Sequence, residues 1–124
     1  MAAGTLTSSG SSGNMPTGSG SERLRRASIK TLNNQWQNIL SGTAGHIYTI
    51  LSLIFCSQQN ASGTLAITVN TGGYDIRIVT DTHLPNDTFV WNDKFVIEED
   101  DDLEVYNTIT DGHWYVTYID QDWT

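Results

Sequence analysis

Short apolar segments recur along this chain at intervals of roughly ten residues from about Ala27 onwards, and Gly, Asn and Asp residues separate them. Within several segments apolar and polar side chains alternate. Leu65, Ile67 and Val69, for example, are interleaved with small or polar residues. A period of two is typical of strands that bury one face. The sequence therefore predicts an all-β protein, an antiparallel β-sandwich of about eight strands.

The candidate strands are 28–33, 35–40, 46–56, 63–70, 74–80, 88–91, 94–99, 103–109 and 113–120. The run 47–55 is apolar almost throughout, which predicts a central strand covered on both faces. Gly72-Gly73 and Asp111-Gly112 stand between candidate strands. Both pairs of residues predict tight hairpin turns.

One segment is also compatible with a helix. Ile29, Leu32 and Trp36 recur at helical spacing, so a helix over 29–40 is an alternative to two strands. The same segment contains several Asn and Thr residues, which are poor helix formers. We therefore favour strands.

The first 21 residues are dominated by Gly, Ser and Thr. Such a composition buries too little apolar surface to offset the entropy that is lost on ordering. We therefore divide the chain into a flexible N-terminal arm, residues 1–27, and a sandwich domain, residues 28–124. The domain has about a hundred residues, which is enough for a core without metals or disulfides.

Positive charge is concentrated in and next to the arm. Four of the six Lys and Arg residues lie within the first 30 residues, and they are Arg23, Arg25, Arg26 and Lys30. With the single acid Glu22 they give this segment a formal charge of +3, while the rest carries −11, for a total of −8. We expect the four cations to bind an acidic surface of a partner protein. An acidic body predicts no nucleic-acid partner, because phosphate contacts dominate such binding.

No group of residues has the spacing of a catalytic, cofactor or metal site. His46, His83 and His113 are neither paired at short intervals nor next to a cysteine, and we expect them to be exposed. Cys56, the single cysteine, lies in an apolar run and is expected to be buried and inert. The acidic run 98–102 lacks the ligand spacing of a calcium loop, so we interpret it as a solvated turn, with a cation site as the alternative. The sequence predicts neither an enzyme nor a cofactor.

Two tryptophans are candidate interface residues, because Trp is enriched at protein interfaces. Trp36 lies near the start of the predicted domain, and Trp123 stands in the polar C-terminal tail. We expect Trp123 either to pack against the domain or to contact a partner. Exposed tryptophans would also suit a carbohydrate-binding sandwich.

Several apolar strand candidates and the turns between them form a recognisable sequence pattern over roughly residues 30–120. In the C-terminal half they are Phe95-Val-Ile-Glu-Glu-Asp-Asp-Asp-Leu-Glu-Val105 and, after a short turn, Trp114-Tyr-Val-Thr-Tyr-Ile119. Upstream they are Ile50-Leu-Ser-Leu-Ile-Phe-Cys-Ser57 and Gly63-Thr-Leu-Ala-Ile-Thr-Val69. This pattern resembles that of small virion proteins of tailed bacteriophages. Asp100 stands where that family usually has Gly in its acidic turn.

The resemblance implies a jelly-roll-like sandwich located in a virion, as a homo-oligomer with a trimer among the candidates. The implied partner is the major capsid protein or another virion protein. Our first hypothesis is a capsid decoration or cement protein that docks through its arm and stabilises the shell. The alternatives are a tail, neck or collar component and a carbohydrate-binding module for host attachment. We predict no membrane partner, because the apolar run 46–56 is far shorter than the roughly 20 residues of a membrane helix.

Overall fold

A computed structural model describes residues 21–31, 34–57, 59–85, 87–109 and 111–124. Within these ranges the chain forms nine strands and no helix, and so no helix that could cross a membrane. The strands are β1 (Ser21–Thr31), β2 (Gln37–Ser41), β3 (His46–Ser57), β4 (Gly63–Thr71), β5 (Tyr74–His83), β6 (Thr88–Trp91), β7 (Phe95–Ile97), β8 (Asp101–Asn107) and β9 (Gly112–Asp122).

The strands form two antiparallel sheets that stack as a sandwich. In the five-stranded sheet the order is β1-β9-β3, and β6 and β7 both pair with the other edge of β3. In the four-stranded sheet the order is β2-β8-β4-β5. Only β4–β5 and β6–β7 are joined within one sheet, and every other connection crosses between the sheets. Because β6 and β7 share one strand position, this connectivity is that of an eight-stranded jelly roll.

The predicted all-β sandwich is confirmed, and two details of the prediction are wrong. β3 is central, but its outward side chains are half-buried or exposed, because the second sheet covers only one of its faces. The helix considered over 29–40 is absent from the described part of that segment. The residues form the end of β1 and most of β2, and Asn34 between them has a φ of 61°, which is incompatible with a continuous helix.

Inward-facing side chains of both sheets form one hydrophobic core. At its centre the rings of Phe55 and Trp114 have centroids 4.7 Å apart. Full burial of one such large side chain stabilises the fold by about 1.5–3 kcal/mol. The buried core residues are Ile39, Tyr48, Ile50, Leu53, Phe55, Leu65, Ile67, Val69, Val79, Ile97, Leu103, Val105, Ile109, Trp114, Val116 and Tyr118.

A buried polar cluster around Asn107 joins the two sheets. The Oδ1 atom of Asn107, on β8, accepts hydrogen bonds from the Thr31 hydroxyl of β1 and from Trp114 Nε1 of β9, the latter at 3.1 Å. Its Nδ2 atom donates to the carbonyl oxygen of Ile109. A buried amide without partners would cost about 1–3 kcal/mol. These bonds therefore fix Asn107 as a junction between three strands.

β1 begins at Ser21, within the segment that the sequence analysis assigned to the arm. It pairs with β9 along its whole length, from Ser21 opposite Asp122 to Thr31 opposite Gly112. Its first half lacks apolar alternation, so its strand conformation depends on pairing with β9, which the sequence pattern does not reveal. Residues 1–20 of the predicted arm lie outside the described residues.

The two predicted hairpins have different outcomes. Gly72-Gly73 joins β4 and β5 within one sheet, and Gly72 has a φ of 61°, as a tight turn requires. Asp111-Gly112 is not a hairpin turn, because β8 and β9 belong to different sheets. Here Asp111 has the positive φ, 55°, whereas a Cβ at Gly112 would lie 2.5 Å from Phe55 Cε1. Glycine is needed at position 112 for space.

Candidate functional site

Strand β1 gathers four of the six cations of the chain at one edge of the five-stranded sheet. Arg23 and Arg25 lie opposite Asp120 and Tyr118, on the side of β1 that faces the second sheet. Arg26 and Lys30 are on the outer face, and all four side chains are exposed. No strand of the described ranges pairs with the other side of β1. The sequence-predicted partner-binding cations are therefore brought together as a line of positive charge, which we call the basic edge.

One of these cations is tied to a buried carboxylate. Arg25 Nε lies 3.0 Å from Asp120 Oδ2, and the Asp120 side chain is only 6% exposed. The other oxygen, Oδ1, lies 2.7 Å from His46 Nδ1. Removal of one partner from a buried ion pair is costly, because the remaining charge stays desolvated. The Asp120 cluster thus holds β1, β9 and β3 together at this end of the sandwich.

A histidine beside a buried carboxylate also occurs in catalytic dyads, where the second ring nitrogen activates a nucleophile. In this protein His46 Nε2 lies 3.6 Å from Asp122 Oδ1. Hydrogen bonds from the Thr124 hydroxyl and backbone amide lower the pKa of Asp122, with smaller contributions from His46 and Arg23. The second nitrogen of His46 thus faces another carboxylate, and this geometry favours a structural role. His46 is half-buried, and so is His113 on β9, so the predicted exposure of both histidines is wrong.

Two buried tyrosines extend this cluster into the core. The rings of Tyr48 and Tyr118 have centroids 5.1 Å apart. Burial raises the pKa of Tyr118, and Tyr48 adds to this effect, so Tyr118 is neutral at physiological pH. The Tyr48 hydroxyl forms a 2.7 Å hydrogen bond with the Thr43 hydroxyl. The cluster therefore combines an ion pair with aromatic packing.

The cations on the outer face make weaker contacts. Lys30 Nζ lies 3.2 Å from Asp111 Oδ1, and both side chains are largely exposed. Arg26 forms a side-chain hydrogen bond with Tyr115, which raises the pKa of Arg26. Exposed ion pairs contribute only about 0–1 kcal/mol because water screens them. Arg26 and Lys30 can therefore readily give up these contacts and bind a partner surface instead.

The same outer face carries exposed apolar side chains. Leu24 on β1 is 71% exposed, and Val96 on β7 is 50% exposed. Val90 on β6 and Tyr115 on β9 are also exposed. Cys56 lies on this face, opposite His113 and Thr88, and is exposed. Its predicted burial is therefore wrong, because it occupies an outward position of β3.

The predicted interface residue Trp36 belongs to an aromatic cluster on the outer face of the four-stranded sheet. Its ring centroid is 5.1 Å from that of Tyr106, and Arg77 Cζ lies 5.0 Å from the ring centroid. Arg77 Nε donates to Thr68 Oγ1 at 3.0 Å, and Nη1 donates to Thr80 Oγ1 at 2.9 Å. Trp36 is still 41% exposed. Sequence reasoning missed Tyr106 and Arg77, because only the pairing of β8, β4 and β5 brings them together.

Acidic residues lie beside this cluster and at the adjacent end of the sandwich. Burial raises the pKa of Glu104, and the charges of Asp75 and Asp102 add to this effect. The acidic run 98–102 forms the turn after β7 and the start of β8, where Asp101 Oδ2 accepts a hydrogen bond from the Glu98 amide. Among the described residues, no three His, Cys, Asp or Glu side chains are grouped so that they could hold a metal ion.

Trp123, the second predicted interface aromatic, lies just beyond β9. Its amide donates a 2.7 Å hydrogen bond to the carbonyl oxygen of Gly45, which anchors the backbone to the β2–β3 loop. The side chain is 37% exposed. Trp36 precedes β2 of the four-stranded sheet, whereas Trp123 follows β9 of the five-stranded sheet, so the two predicted interface aromatics lie on different elements.

No protein-family model matches the chain, and no curated protein and no solved structure is significantly similar to it.

Proposed function

We propose that this protein is a non-enzymatic structural component of a tailed-bacteriophage virion, first of all a capsid decoration or cement protein. The observation that carries the proposal is the position of the basic edge. The strand with four of the six cations directly follows residues 1–20 and has one side without a partner strand among the described residues. The N-terminal segment and this strand together offer an acidic partner, such as the major capsid protein, a continuous docking element.

The fold supports the same proposal. Jelly rolls are found in viral capsid domains and in lectins, among other proteins. Function lies in the sites that a fold carries, and here the surface of the five-stranded sheet adds to the support. Tyr115 and Arg26, both exposed on the outer face of the five-stranded sheet, are of residue types that are enriched in protein interfaces.

The proposed docking relies on many weak contacts. Each exposed ion pair contributes about 0–1 kcal/mol, so the cations of one copy bind weakly. In a symmetric array, avidity can multiply weak affinities by roughly 10²–10⁴ when the geometry permits. The protein would therefore stay on the shell as a homo-oligomer, in many copies.

Two truncations test the docking element. Deletion of residues 1–20 leaves β1 complete, whereas deletion of 1–27 also removes Arg25 and its contact with Asp120. We expect the shorter deletion to stay folded and to lose co-sedimentation with particles that lack the protein, most clearly at high salt. The longer deletion should in addition lower the melting temperature. If the shorter deletion binds particles as tightly as the full chain, the N-terminal segment is not the docking element.

The location in the virion is tested separately by imaging labelled particles and counting copies. A cement protein would cover the shell in many copies. A tail, neck or collar component, the alternative, would appear in few copies at one vertex or along the tail. Absence of the label from purified particles would refute both locations.

A second candidate function, carbohydrate binding, is favoured by the exposed Trp36 ring beside Tyr106. Aromatic faces on a sheet surface can stack on sugar rings. Titration with host-surface glycans, followed by tryptophan fluorescence, tests this function. The Trp36→Ala variant should then lose the signal, and the matched Trp123→Ala variant should keep it. Absence of any glycan response in the unmodified protein would reject this candidate.

A further inference from the structure

Cross-strand pairing divides the outer face of the five-stranded sheet into rows that run from β1 to the opposite edge. One row begins with Leu24, passes through Ile119 and Thr49, and ends with Val96 on β7. Its two ends are among the most exposed apolar side chains of the face. The row therefore presents an apolar group at each edge of the sheet.

The next row carries opposite charges at its two ends. Arg26 lies opposite Thr117, and Thr117 lies opposite Ser52 of β3. Beyond Ser52 comes the short β6–β7 connection, because Trp91 pairs with Leu53 and Phe95 pairs with Ile50. This connection contains the exposed Asp93 and, next to it, the exposed Lys94, whose Nζ atom donates a 3.3 Å hydrogen bond to the carbonyl oxygen of Asn92 within the same connection. Arg26 and Asp93 are therefore level with each other at opposite edges.

A third row repeats the arrangement. It begins with Lys30, passes through His113 and Cys56, and ends with Thr88 at the start of β6. The exposed Asp87 directly precedes Thr88 and accepts a hydrogen bond from its amide. At three levels of the sheet, one edge is thus complementary to the other: apolar to apolar, and twice positive to negative.

The strand directions allow the two edges to meet. β1 and β3 are both antiparallel to β9, and β6 and β7 are antiparallel to β3. If a second copy is placed beside the first by a translation along the rows, its β1 edge meets the β6–β7 edge of the first copy. The two edges then run antiparallel to each other. Antiparallel pairing is the arrangement of every strand pair in this sheet.

We propose that copies of this protein associate head to tail, with the basic edge β1 of one copy docked against the β6–β7 edge of the next. The five-stranded sheets then continue from copy to copy, with Leu24 against Val96, Arg26 against Asp93 and Lys30 against Asp87. Such a heterologous interface forms a ring when its rotation closes. The proposal deepens the structural function above and rests on it for the expectation of a homo-oligomer. In this assembly Arg26 and Lys30 bind the next copy, while residues 1–20 and the exposed Arg23 remain for docking on the shell.

The exposed apolar residues support the choice of edge. Nine large apolar side chains of the described part are exposed, and five of them lie on β5–β7 or the loop between β5 and β6. Those five are Tyr74, Ile76, Leu84, Val90 and Val96. The side of the sandwich that would receive the basic edge is therefore the side with the most apolar surface to bury.

A symmetric interface between two copies of β1 is disfavoured. In a twofold arrangement two strands that each carry four cations and one acid would lie side by side, and this net like charge opposes their association. The charge of β1 therefore favours head-to-tail association over the symmetric interface. Reversal of its charge should have opposite effects on them.

Charge reversal on each edge tests the proposal with purified full-length protein. Sedimentation velocity at low salt should show the unmodified protein in species larger than the 13.7 kDa monomer. The variants Arg26→Glu and Asp93→Lys should each associate at least about tenfold more weakly, because each places like charges together. An equimolar mixture of the two should recover association, since the reversed edges are again complementary.

The Asp100→Lys variant is the matched control, because it makes the same charge change as Asp93→Lys on the exposed β7–β8 turn. It should associate like the unmodified protein. Equal weakening by both variants would mean that net charge alone governs association, and the proposal would be wrong. Stronger association of Arg26→Glu would establish the symmetric mode instead. A protein that stays monomeric at every concentration would also overturn the proposal, and the cations would then protect the edge from pairing.

Disulfide trapping gives a second readout in a Cys56→Ser background. Within one copy Leu24 and Val96 are three strand spacings apart, about 14 Å, which no disulfide can span. A chain with both Leu24→Cys and Val96→Cys should oxidise to a ladder of linked copies, and a mixture of the single variants to dimers only. Unlinked monomers under oxidising conditions would refute the register. Neither experiment uses particles. Failure of self-association would therefore not affect the outcome of the particle-binding test, and the two proposals can fail separately.

Discussion

Replacing Gly112 by alanine tests how tightly the start of β9 is packed. The added Cβ would lie 2.5 Å from Phe55 Cε1 and 2.9 Å from both Asn107 Nδ2 and Thr31 Oγ1. Real side chains do not approach this closely, so the neighbours must move. Phe55 is fixed by the core, while Asn107 and Thr31 are fixed by their hydrogen bonds to each other.

The expected cost follows from these contacts. Overpacking of a well-filled core costs about 1–3 kcal/mol, and each hydrogen bond weakened by displacement of Asn107 adds about 1 kcal/mol. We therefore expect the free energy of unfolding to fall by about 2–4 kcal/mol. For a domain of this size, that lowers the melting temperature by at least about 8 °C.

Two other glycines serve as controls. Gly73 has open space around it and a φ outside the left-handed region, so Gly73→Ala should be neutral or stabilising by about 0.4–1 kcal/mol. Gly72 has the same open space but a φ of 61°, so Gly72→Ala should cost about 1–2 kcal/mol from the backbone alone. The three variants separate the effect of space from that of conformation.

The assay is urea unfolding of the three variants and the unmodified protein, followed by tryptophan fluorescence and by circular dichroism. Coincident transitions from the two probes would justify a two-state free energy. The reasoning fails if Gly112→Ala is as stable as Gly73→Ala, because the pocket around position 112 would then have room for a methyl group.

Three further outcomes are expected. Burial raises the pKa of Glu104, so ionisation of this side chain opposes folding at neutral pH. Glu104→Gln should therefore raise the melting temperature at pH 7. The difference should vanish below pH 4.5, the ordinary pKa of a glutamate. Hydrogen bonds from Lys30 and then Gln59 lower the pKa of Asp111, so its contribution to stability is present above pH 3.8, its ordinary pKa, and is lost as the pH falls. Asp111→Asn should lower the melting temperature at pH 7 and make no difference in strong acid. Equal differences at both pH values would contradict this. Cys56 should react with a thiol reagent in the native protein, and reaction only after unfolding would show that it is covered.

Alternation in the sequence was sufficient to predict most strands of the domain, but it missed the first half of β1. β3, β4 and β6 match their predicted segments to within a residue or two, because each alternates or is strongly apolar between turn residues. The order of the strands was not predictable in the same way. It depends on which faces pack across the sandwich, and residues as distant as Ser21 and Asp122 turn out to be paired.

The local environments were harder to predict than the strands. Cys56 stands in an apolar run, but its position in the β3 register directs it outward, next to His113 and Thr88. The ion pair between Arg25 and the buried Asp120 has no signal in the sequence, since both residues lie in polar stretches. The sequence identified the four cations of the basic edge. It did not predict that Arg23, Arg25 and Arg26 lie in a strand, because that part of the strand depends on pairing with β9.

The pairing of the first described strand with the last has a consequence for synthesis on the ribosome. β1 cannot enter its sheet until β9 has been made, because Ser21 pairs with Asp122 and Thr31 with Gly112. At about 5–20 residues per second, the intervening hundred or so residues take roughly 5–20 s to synthesise. For that time β1 is an unpaired segment in a crowded cell. Its closely spaced cations keep it soluble while it waits, since charged residues suppress the association of exposed strands.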